Sequence, residues 1–233
     1  MTDRSEQVRD GLHAVHDRIR RAAEGAGRDP GEVTLVVVTK FFPASDVRIL
    51  ADLGVTDVGE NRHQEAAVKA EECSGLSLRW HFIGGLQSNK ASAVAAYADV
   101  VESVDRAKLV KGLQRGAHER GAGLDVLLQV SLDAPGATGR SGADPDELDD
   151  LARAVEEAGA LRIRGLMAVA PLGEDPSTAF ARLAEIRTGF THAHPTSTWL
   201  SAGMSGDLEQ AVHAGATHVR VGSAILGPRP ADK

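Results

Sequence analysis

The most constraining feature of this chain is a regular alternation of short apolar runs with longer stretches of helical composition. Such alternation is the signature of βα units and a parallel sheet. We count eight apolar runs, which span residues 33–39, 56–59, 79–83, 99–102, 124–130, 161–167, 197–200 and 217–221. The sequence therefore predicts eight parallel strands connected by helices.

Eight such units in 233 residues place the chain in the α/β class and favour a single closed (β/α)8 TIM barrel. An open doubly wound sheet more often has about five or six strands. An apolar stripe at Val8, Leu12, Val15 and Ile19 adds an N-terminal helix over about residues 4–24. We expect one domain over residues 1–233, with the barrel at about 33–227.

Helical stretches are predicted at 44–53, 106–120, 145–158, 176–190 and 205–214. Glycines stand at the expected C-termini of several of them, namely Gly54, Gly121, Gly159 and Gly215.

Composition excludes several classes of partner. A formal net charge of -7 and an aromatic content of 3% favour neither nucleic acid nor an anionic membrane surface. No apolar run approaches the roughly 20 residues of a membrane span. The first thirty residues are charged at short intervals and contain no uninterrupted apolar stretch that could act as a signal-peptide core. The one cysteine, Cys73, excludes an internal disulfide framework. We expect a cytoplasmic protein.

The residues that end the eight strands should gather at one mouth of the barrel, where barrel proteins carry their functional groups. Lys40 follows the first strand and is the only one of the six lysines that this arrangement directs into the mouth. An apolar strand end can desolvate a lysine, which lowers its pKa and frees the amine for Schiff-base chemistry. Lys40 could equally extend along apolar surface or pair with Glu60, so this residue alone leaves both interpretations open.

Two loops rich in small residues follow the seventh and eighth strands, at 201–207 (SAGMSGD) and 221–227 (VGSAILG). Small residues let backbone N–H groups approach an anion, and a helix beginning near Ser205 would add its dipole. Alternatively, Ser205 only caps its helix and Gly222 only permits a turn. Together with a candidate Schiff-base lysine, the loops predict a phosphorylated aldehyde, which pyridoxal 5'-phosphate (PLP) would satisfy.

Arg220 lies two residues before Gly222. A guanidinium keeps its proton, so beside the pyridine nitrogen of PLP it would donate a hydrogen bond and leave that nitrogen unprotonated. The alternative is that Arg220 bridges to an acidic neighbour. The nine histidines, His81 included, show no metal-ligand spacing, and we predict no metal.

An ordered set of motifs between about residues 33 and 230 resembles the YggS/PROSC family of pyridoxal phosphate homeostasis proteins. The motifs are Val38-Thr39-Lys40 with Pro43, Gly59-Glu60-Asn61 with Gln64-Glu65, Trp80-His81-Phe82-Ile83-Gly84 with Leu86-Gln87-Ser88-Asn89-Lys90, Arg164-Gly165-Leu166-Met167-Ala168, Leu200-Ser201 with Gly203-Met204-Ser205 and Asp207, and Val219-Arg220-Val221-Gly222 with Gly227.

The resemblance implies a barrel of the alanine racemase N-terminal type that carries PLP as a Schiff base on Lys40. It also implies phosphate contacts from Ser205, Gly222 and Ser223, with Arg220 toward the pyridine nitrogen. Family members are thought to bind PLP and hand it on to apo PLP-dependent enzymes, thereby influencing vitamin B6 and amino-acid balance without an established reaction. The candidate cofactor-binding residues are therefore Lys40, Asn61, His81, Met167, Ser201, Ser205, Arg220, Gly222 and Ser223.

Four positions depart from the family pattern. Arg62 stands in place of a usual tyrosine, Ala202 of methionine, and Ser223 of threonine, whose hydroxyl it keeps. Arg140 replaces a usual lysine. Because an arginine cannot form a Schiff base, any accessory cofactor handling by a lysine there would be lost.

Two other functions remain open at this point. A PLP-dependent amino-acid racemase of weak activity is disfavoured, because the one tyrosine, Tyr97, falls in a helical segment and no residues remain for a second domain. The lack of that domain also favours a monomer. A phosphate-binding barrel enzyme without PLP, such as a sugar-phosphate isomerase, would use Glu60 as its base.

Overall fold

The computed structural model describes residues 3–133 and 142–229. Eight parallel strands close into a barrel in chain order, which confirms the (β/α)8 prediction. Hydrogen bonding between the first and last strands, through the pairs Thr34 with His218 and Val37 with Val221, completes the closure. The strands are β1 (Thr34–Val38), β2 (Asp57–Glu60), β3 (Arg79–Phe82), β4 (Val100–Val104), β5 (Leu124–Gln129), β6 (Leu161–Met167), β7 (Trp199–Ser201) and β8 (His218–Val221).

The helices surround the barrel, and the N-terminal helix is present as predicted. They are α1 (Asp3–Gly25), α2 (Ala44–Asp52), α3 (His63–Glu72), α4 (Ala91–Ala95), α5 (Val110–Arg120), α6 (Leu148–Glu156), α7 (Pro176–Ala193), α8 (Leu208–His213) and α9 (Ser223–Leu226). Among the described helices, none combines the length and apolar character needed to cross a bilayer.

The expectation of a helix beginning near Ser205 is wrong. Helix α8 begins at Leu208, and residues 205–207 form a turn. The carboxylate of Asp207 accepts a hydrogen bond of 2.6 Å from the backbone N–H of Met204, which ties the turn together. Gly203 supplies the left-handed backbone (φ 90°) that this turn requires. Ser205 therefore lies in a turn, while Ser223 begins the short helix α9.

Side chains alternate between two environments along the strands, as the two-residue period of a strand requires. On β8, Val219 and Val221 pack outward with α1 and α8 in one apolar cluster. The intervening residues His218 and Arg220 are also buried, inside the barrel. The same alternation on β3 and β4 turns His81 and Glu102 inward. The interior of this barrel thus contains several charged and polar groups.

Helix α1 packs against α8 and against α9, the short helix that follows β8. Its buried stripe includes Val8, Leu12, Val15 and Ile19, as the sequence predicts. Gly11 lies where α1 contacts α9, and a Cβ atom there would stand 2.6 Å from the carbonyl oxygen of Ile225. Because that neighbour is backbone, a larger residue would force the two helices apart.

Replacing Gly11 by alanine should therefore destabilise the fold by about 1–3 kcal/mol, despite the better helix propensity of alanine. Gly189 in α7 is a matched control, since a Cβ there meets no atom within 4 Å. Gly189→Ala should be neutral or stabilising by up to about 1 kcal/mol. Urea unfolding of both variants measures the difference, and a Gly11→Ala protein as stable as wild type would contradict the close packing of α1 on α9.

Candidate functional site

A cavity of about 270 Å³ opens at the C-terminal mouth of the barrel, and we call it the Lys40 cavity. It lies between the end of β1 and the loops that follow β7 and β8. The residues that line it are Val38, Lys40, Phe41, Phe42, Met204, Ser205, Gly206, Arg220, Gly222, Ser223, Gly227 and Arg229. Five of the nine candidate cofactor-binding residues therefore meet in one place, namely Lys40, Ser205, Arg220, Gly222 and Ser223.

Lys40 has the electrostatic environment expected of a reactive amine. Burial lowers its pKa, and the positive charges of Arg229 and Arg62 lower it further, while Glu60 acts in the opposite direction. A lowered pKa increases the fraction of lysine present as the free amine at neutral pH. The Lys40 side chain is one of the groups that line the Lys40 cavity.

Glu60 is held by a different lysine. Its Oε1 atom accepts hydrogen bonds from Lys69 Nζ at 2.5 Å and from the hydroxyl of Thr39 at 2.6 Å. Lys69 also donates to the carbonyl oxygen of Thr39 at 2.8 Å. Among the described lysines, Lys40 alone lines the Lys40 cavity, as predicted. The sequence did not reveal that the buried face of α3 places Lys69 against the ends of β1 and β2. Lys69 fixes the residue that precedes Lys40.

Small residues of the loops after β7 and β8 form a cradle beside Lys40. The hydroxyl oxygens of Ser205 and Ser223 stand 3.5 Å apart. A Cβ atom on Gly222 would lie 2.9 Å from the carbonyl oxygen of Val38, so only glycine fits there without displacing the end of β1. Two hydroxyl donors and a close backbone approach suit a phosphate group.

Arg220 forms one wall of the cavity, and hydrogen bonds on the side away from the cavity fix its guanidinium. It donates to the hydroxyl of Ser201 at 2.6 Å and to the carbonyl oxygen of Ala168 at 2.8 Å. Ser201 donates in turn to Glu102 Oε2 at 2.5 Å, and that oxygen is 3.8 Å from Arg220. Burial lowers the pKa of Arg220, but a guanidinium stays charged at any ordinary pH. Arg220 thus has an acidic neighbour and still faces the cavity.

The hydrogen-bonded chain continues across the barrel through His81. Its Nδ1 atom is 2.7 Å from Glu102 Oε1, and its Nε2 atom is 2.9 Å from Asp57 Oδ1. Burial alone would lower the pKa of His81, but these two hydrogen bonds outweigh it and raise the pKa. For Glu102, burial is likewise outweighed, by the hydrogen bond and charge of His81 and by Arg220, which bring its pKa to about 2. We call Asp57, His81, Glu102, Ser201 and Arg220 the buried polar chain.

The other four candidate residues lie outside the lining of the Lys40 cavity. Ser201 and His81 belong to the buried polar chain, one and three links behind Arg220. Met167 packs inside the barrel against Val100 and Leu127. Asn61 is exposed at the end of β2 and lies against Gly84. A Cβ atom added to Gly84 would clash with the side-chain oxygen of Asn61. Their contact with a cofactor stays a prediction, and Arg140 lies outside the described residues.

Sequence reasoning missed Glu102, Asp57, Phe41 and Arg229. A signal for Glu102 was available, because its strand reads Val-Val-Glu-Ser-Val and an acidic residue in such a run requires a partner. Phe41 has a positive φ of 74°, which no sequence pattern reveals. Arg229 follows the last helix, and its place beside Lys40 depends on the path of the chain.

Comparison with known proteins gives consistent matches over nearly the whole chain. Residues 11–230 match the family model described as the alanine racemase N-terminal domain. The chain is 43% identical to the pyridoxal phosphate homeostasis protein of Mycobacterium tuberculosis, covering 97% of this chain and 95% of that protein. It is 44% identical to the protein of that name from Pseudomonas aeruginosa, covering 95% and 96%.

Solved structures agree with the sequence matches. PipY of Synechococcus elongatus, whose structure was solved with PLP bound, is 36% identical and superposes with a TM-score of 0.78 over 90% of this chain and 100% of that chain. The alanine racemase of Streptomyces coelicolor is 17% identical with a TM-score of 0.70, over 95% of this chain and 58% of that one. At that identity the likeness concerns the fold alone.

The buried polar chain should make stability depend on pH. Because the pKa of Glu102 is lowered from 4.5 to about 2, its stabilising contribution is complete above about pH 4.5 and is lost as the pH falls toward 2. Glu102→Gln leaves Arg220 and His81 without this carboxylate and should cost about 3–5 kcal/mol at neutral pH. The difference from wild type should shrink as the pH falls through that window.

Urea unfolding at several pH values measures this difference. Glu119→Gln is the control, since Glu119 is exposed on α5 and should behave like wild type throughout. A Glu102→Gln cost that is small, or that does not change with pH, would contradict the described charge pairing.

Proposed function

We infer the function from the family to which this chain belongs, the pyridoxal phosphate homeostasis proteins, and propose that it binds PLP and takes part in PLP homeostasis. The observation that carries the proposal is the Lys40 cavity, where a half-buried amine of lowered pKa faces two serine hydroxyls. When bound, PLP supplies an aldehyde, which is the partner that a free lysine amine requires.

The residues of the cavity fit the parts of this cofactor. We propose that Lys40 attaches the cofactor through its amine and that Ser205, Ser223 and the backbone at Gly222 hold the phosphate. Arg220 uses two N–H groups for Ser201 and Ala168 and has others to donate toward a ring nitrogen. Since Arg220 stays charged, it would keep that nitrogen unprotonated.

We further propose that the protein holds the cofactor rather than turning over an amino acid. Among the described residues that line the cavity, Lys40 is the one group suited to proton transfer, because the others include no histidine, carboxylate, tyrosine or cysteine. Tyr97 lines a different depression, beside Cys73 on the outer side of α3 and α4, and burial raises its pKa. A racemase needs a second acid-base group on the opposite face of its substrate, so this lining supports a protein that holds PLP without racemising an amino acid. We propose that such a protein supplies PLP to apo-enzymes.

The alternative of a phosphate-binding enzyme without PLP is less well supported. Its base would be Glu60, which is almost fully buried and does not line the cavity. Lys69 and Thr39 already occupy Glu60 Oε1. An amine, rather than a carboxylate, is the reactive group that the cavity presents.

Lys40→Ala tests the proposed attachment. Wild-type protein incubated with PLP, freed of excess and treated with borohydride should carry one reduced pyridoxyl group on Lys40, located by peptide mass spectrometry. The visible absorbance of the bound cofactor should disappear on reduction. Lys40→Ala should retain no stable label, because no other described lysine lines the cavity.

Lys111→Ala, an exposed lysine on α5, is the matched control and should label like wild type. Equal labelling of wild type and Lys40→Ala, or a label spread over surface lysines, would contradict the proposal. If the wild type binds no PLP, the alternative function, a phosphate-binding barrel enzyme that does not use PLP, would be the better supported one.

A further inference from the structure

Phe41 stands at the rim of the Lys40 cavity with three cationic groups around its ring. The Cζ atoms of Arg229 and Arg62 are 4.7 and 4.9 Å from the ring centroid, and Lys40 Nζ is 6.0 Å from it. A guanidinium packs favourably on an aromatic ring, but three positive charges in one place repel one another. Part of that repulsion is visible in the pKa of Lys40, which burial lowers first and the two arginines lower further.

The backbone of Phe41 is held in an unusual conformation that keeps its ring in this place. Its φ of 74° lies in the left-handed region, which is unfavourable for a residue with a bulky side chain, and such residues concentrate at ligand sites. The N–H of Phe41 donates to Glu65 Oε1 at 2.6 Å, and the same oxygen accepts from Lys69 Nζ at 3.0 Å. The buried cluster around Lys69 thus fixes the ring on which the arginines rest.

Neither arginine is neutralised within residues 3–133 and 142–229. Arg62 and Arg229 form no ion pair or hydrogen bond with a carboxylate there, and both are exposed. The nearby acids are engaged elsewhere, since Glu60 bonds to Lys69 and Thr39, and Glu65 bonds to Lys69 and the backbone of Phe41. Two guanidinium groups on one ring, without an acidic partner and beside a reactive amine, form an anion site.

We propose that Arg62 and Arg229 form a second oxyanion subsite, which receives the carboxylate of a free α-amino acid beside Lys40. This inference rests on the proposed function. The hydroxyls of Ser205 and Ser223 are neutral donors that suit the cofactor's phosphate, whereas the planar fork of a guanidinium matches a carboxylate with two parallel hydrogen bonds. Arg62 lies at the rim, outside the cavity lining, so the subsite opens to solvent where a free amino acid arrives.

The subsite gives the site a means of responding to amino acids. A carboxylate bound between the arginines offsets the positive charge that lowers the pKa of Lys40, and therefore raises that pKa. It also brings the amino group of the same molecule to the mouth of the cavity, next to the lysine that holds the cofactor. An amino acid bound in the subsite would thus change the equilibrium between Lys40 and its own amino group for the cofactor's aldehyde.

The test uses propionate, which is alanine without its amino group and cannot react with an aldehyde. In protein loaded with PLP, saturation-transfer NMR should detect binding of propionate but not of neutral 1-propanol. The double variant Arg62→Gln, Arg229→Gln should weaken propionate binding at least about tenfold, the loss expected for charge-assisted hydrogen bonds. Arg62→Lys, Arg229→Lys, which keeps the charge without the fork, should lose part of the affinity.

Arg115→Gln removes an exposed arginine from α5 and is the matched control, which should bind propionate like wild type. Thermal unfolding of each variant checks that the fold is kept. Unchanged propionate binding in the double glutamine variant would overturn the inference. Propionate binding that disappears when PLP is loaded would also overturn it, because the arginines would then serve the cofactor's own phosphate.

A second readout separates this inference from the proposed function. In cofactor-free protein, the pH midpoint for modification of Lys40 by an amine reagent should rise when propionate is added, and the double glutamine variant should show no such rise. A wild type that never loads PLP but shows this response would refute the proposed function and keep the anion subsite. A wild type that loads PLP but shows no response would refute the subsite alone.

Discussion

The site depends on a single carboxylate, Glu102, that is buried inside the barrel. A charge in a dry interior is tolerated only when it is paired and hydrogen-bonded. Glu102 meets this condition through His81 on one side and through Ser201 and Arg220 on the other. Without it, the buried guanidinium of Arg220 would lose its nearest carboxylate and keep only neutral hydrogen-bond partners, Ser201 and Ala168.

Closure of the barrel explains why such distant residues act together. The groups of the buried polar chain come from β2, β3, β4, β7 and β8, and only a closed cylinder turns them all toward one axis. At the mouth, the strand ends add Lys40 and the two serine loops. A second cluster, of Glu60, Lys69 and Thr39, fixes the chain just before Lys40. Two walls of the cavity, at the end of β1 and at Arg220, are therefore backed by buried charged groups.

The sequence predicts those features that follow from periodicity and from local chemistry. The eight strands and α1 were predictable because buried faces repeat at intervals of two residues in strands and of three or four in helices. Lys40, Ser205, Arg220 and Gly222 were predictable because barrels gather strand ends at one mouth. The start of α8 was not, because the side chain of Asp207 stabilises a turn that competes with the helix.

Features that depend on tertiary contact remained hidden in the sequence. Lys69 looks like an ordinary helical lysine until α3 is packed on β1 and β2. Arg229 acquires its place only from the path of the chain after α9. The pairing of Glu102 with His81 joins two strands whose register no local pattern fixes, although the acidic residue in an apolar strand signals that some partner must exist.

We propose that the Lys40 cavity holds PLP without the second acid-base group that turnover of an amino acid requires. The measurement that tests it most directly is exchange of the α-proton of L-alanine with deuterated solvent, followed by NMR in the presence of the PLP-loaded protein. The account predicts exchange no faster than with an equal concentration of free PLP. Faster exchange that is abolished by Lys40→Ala would contradict it and show that the site is catalytic.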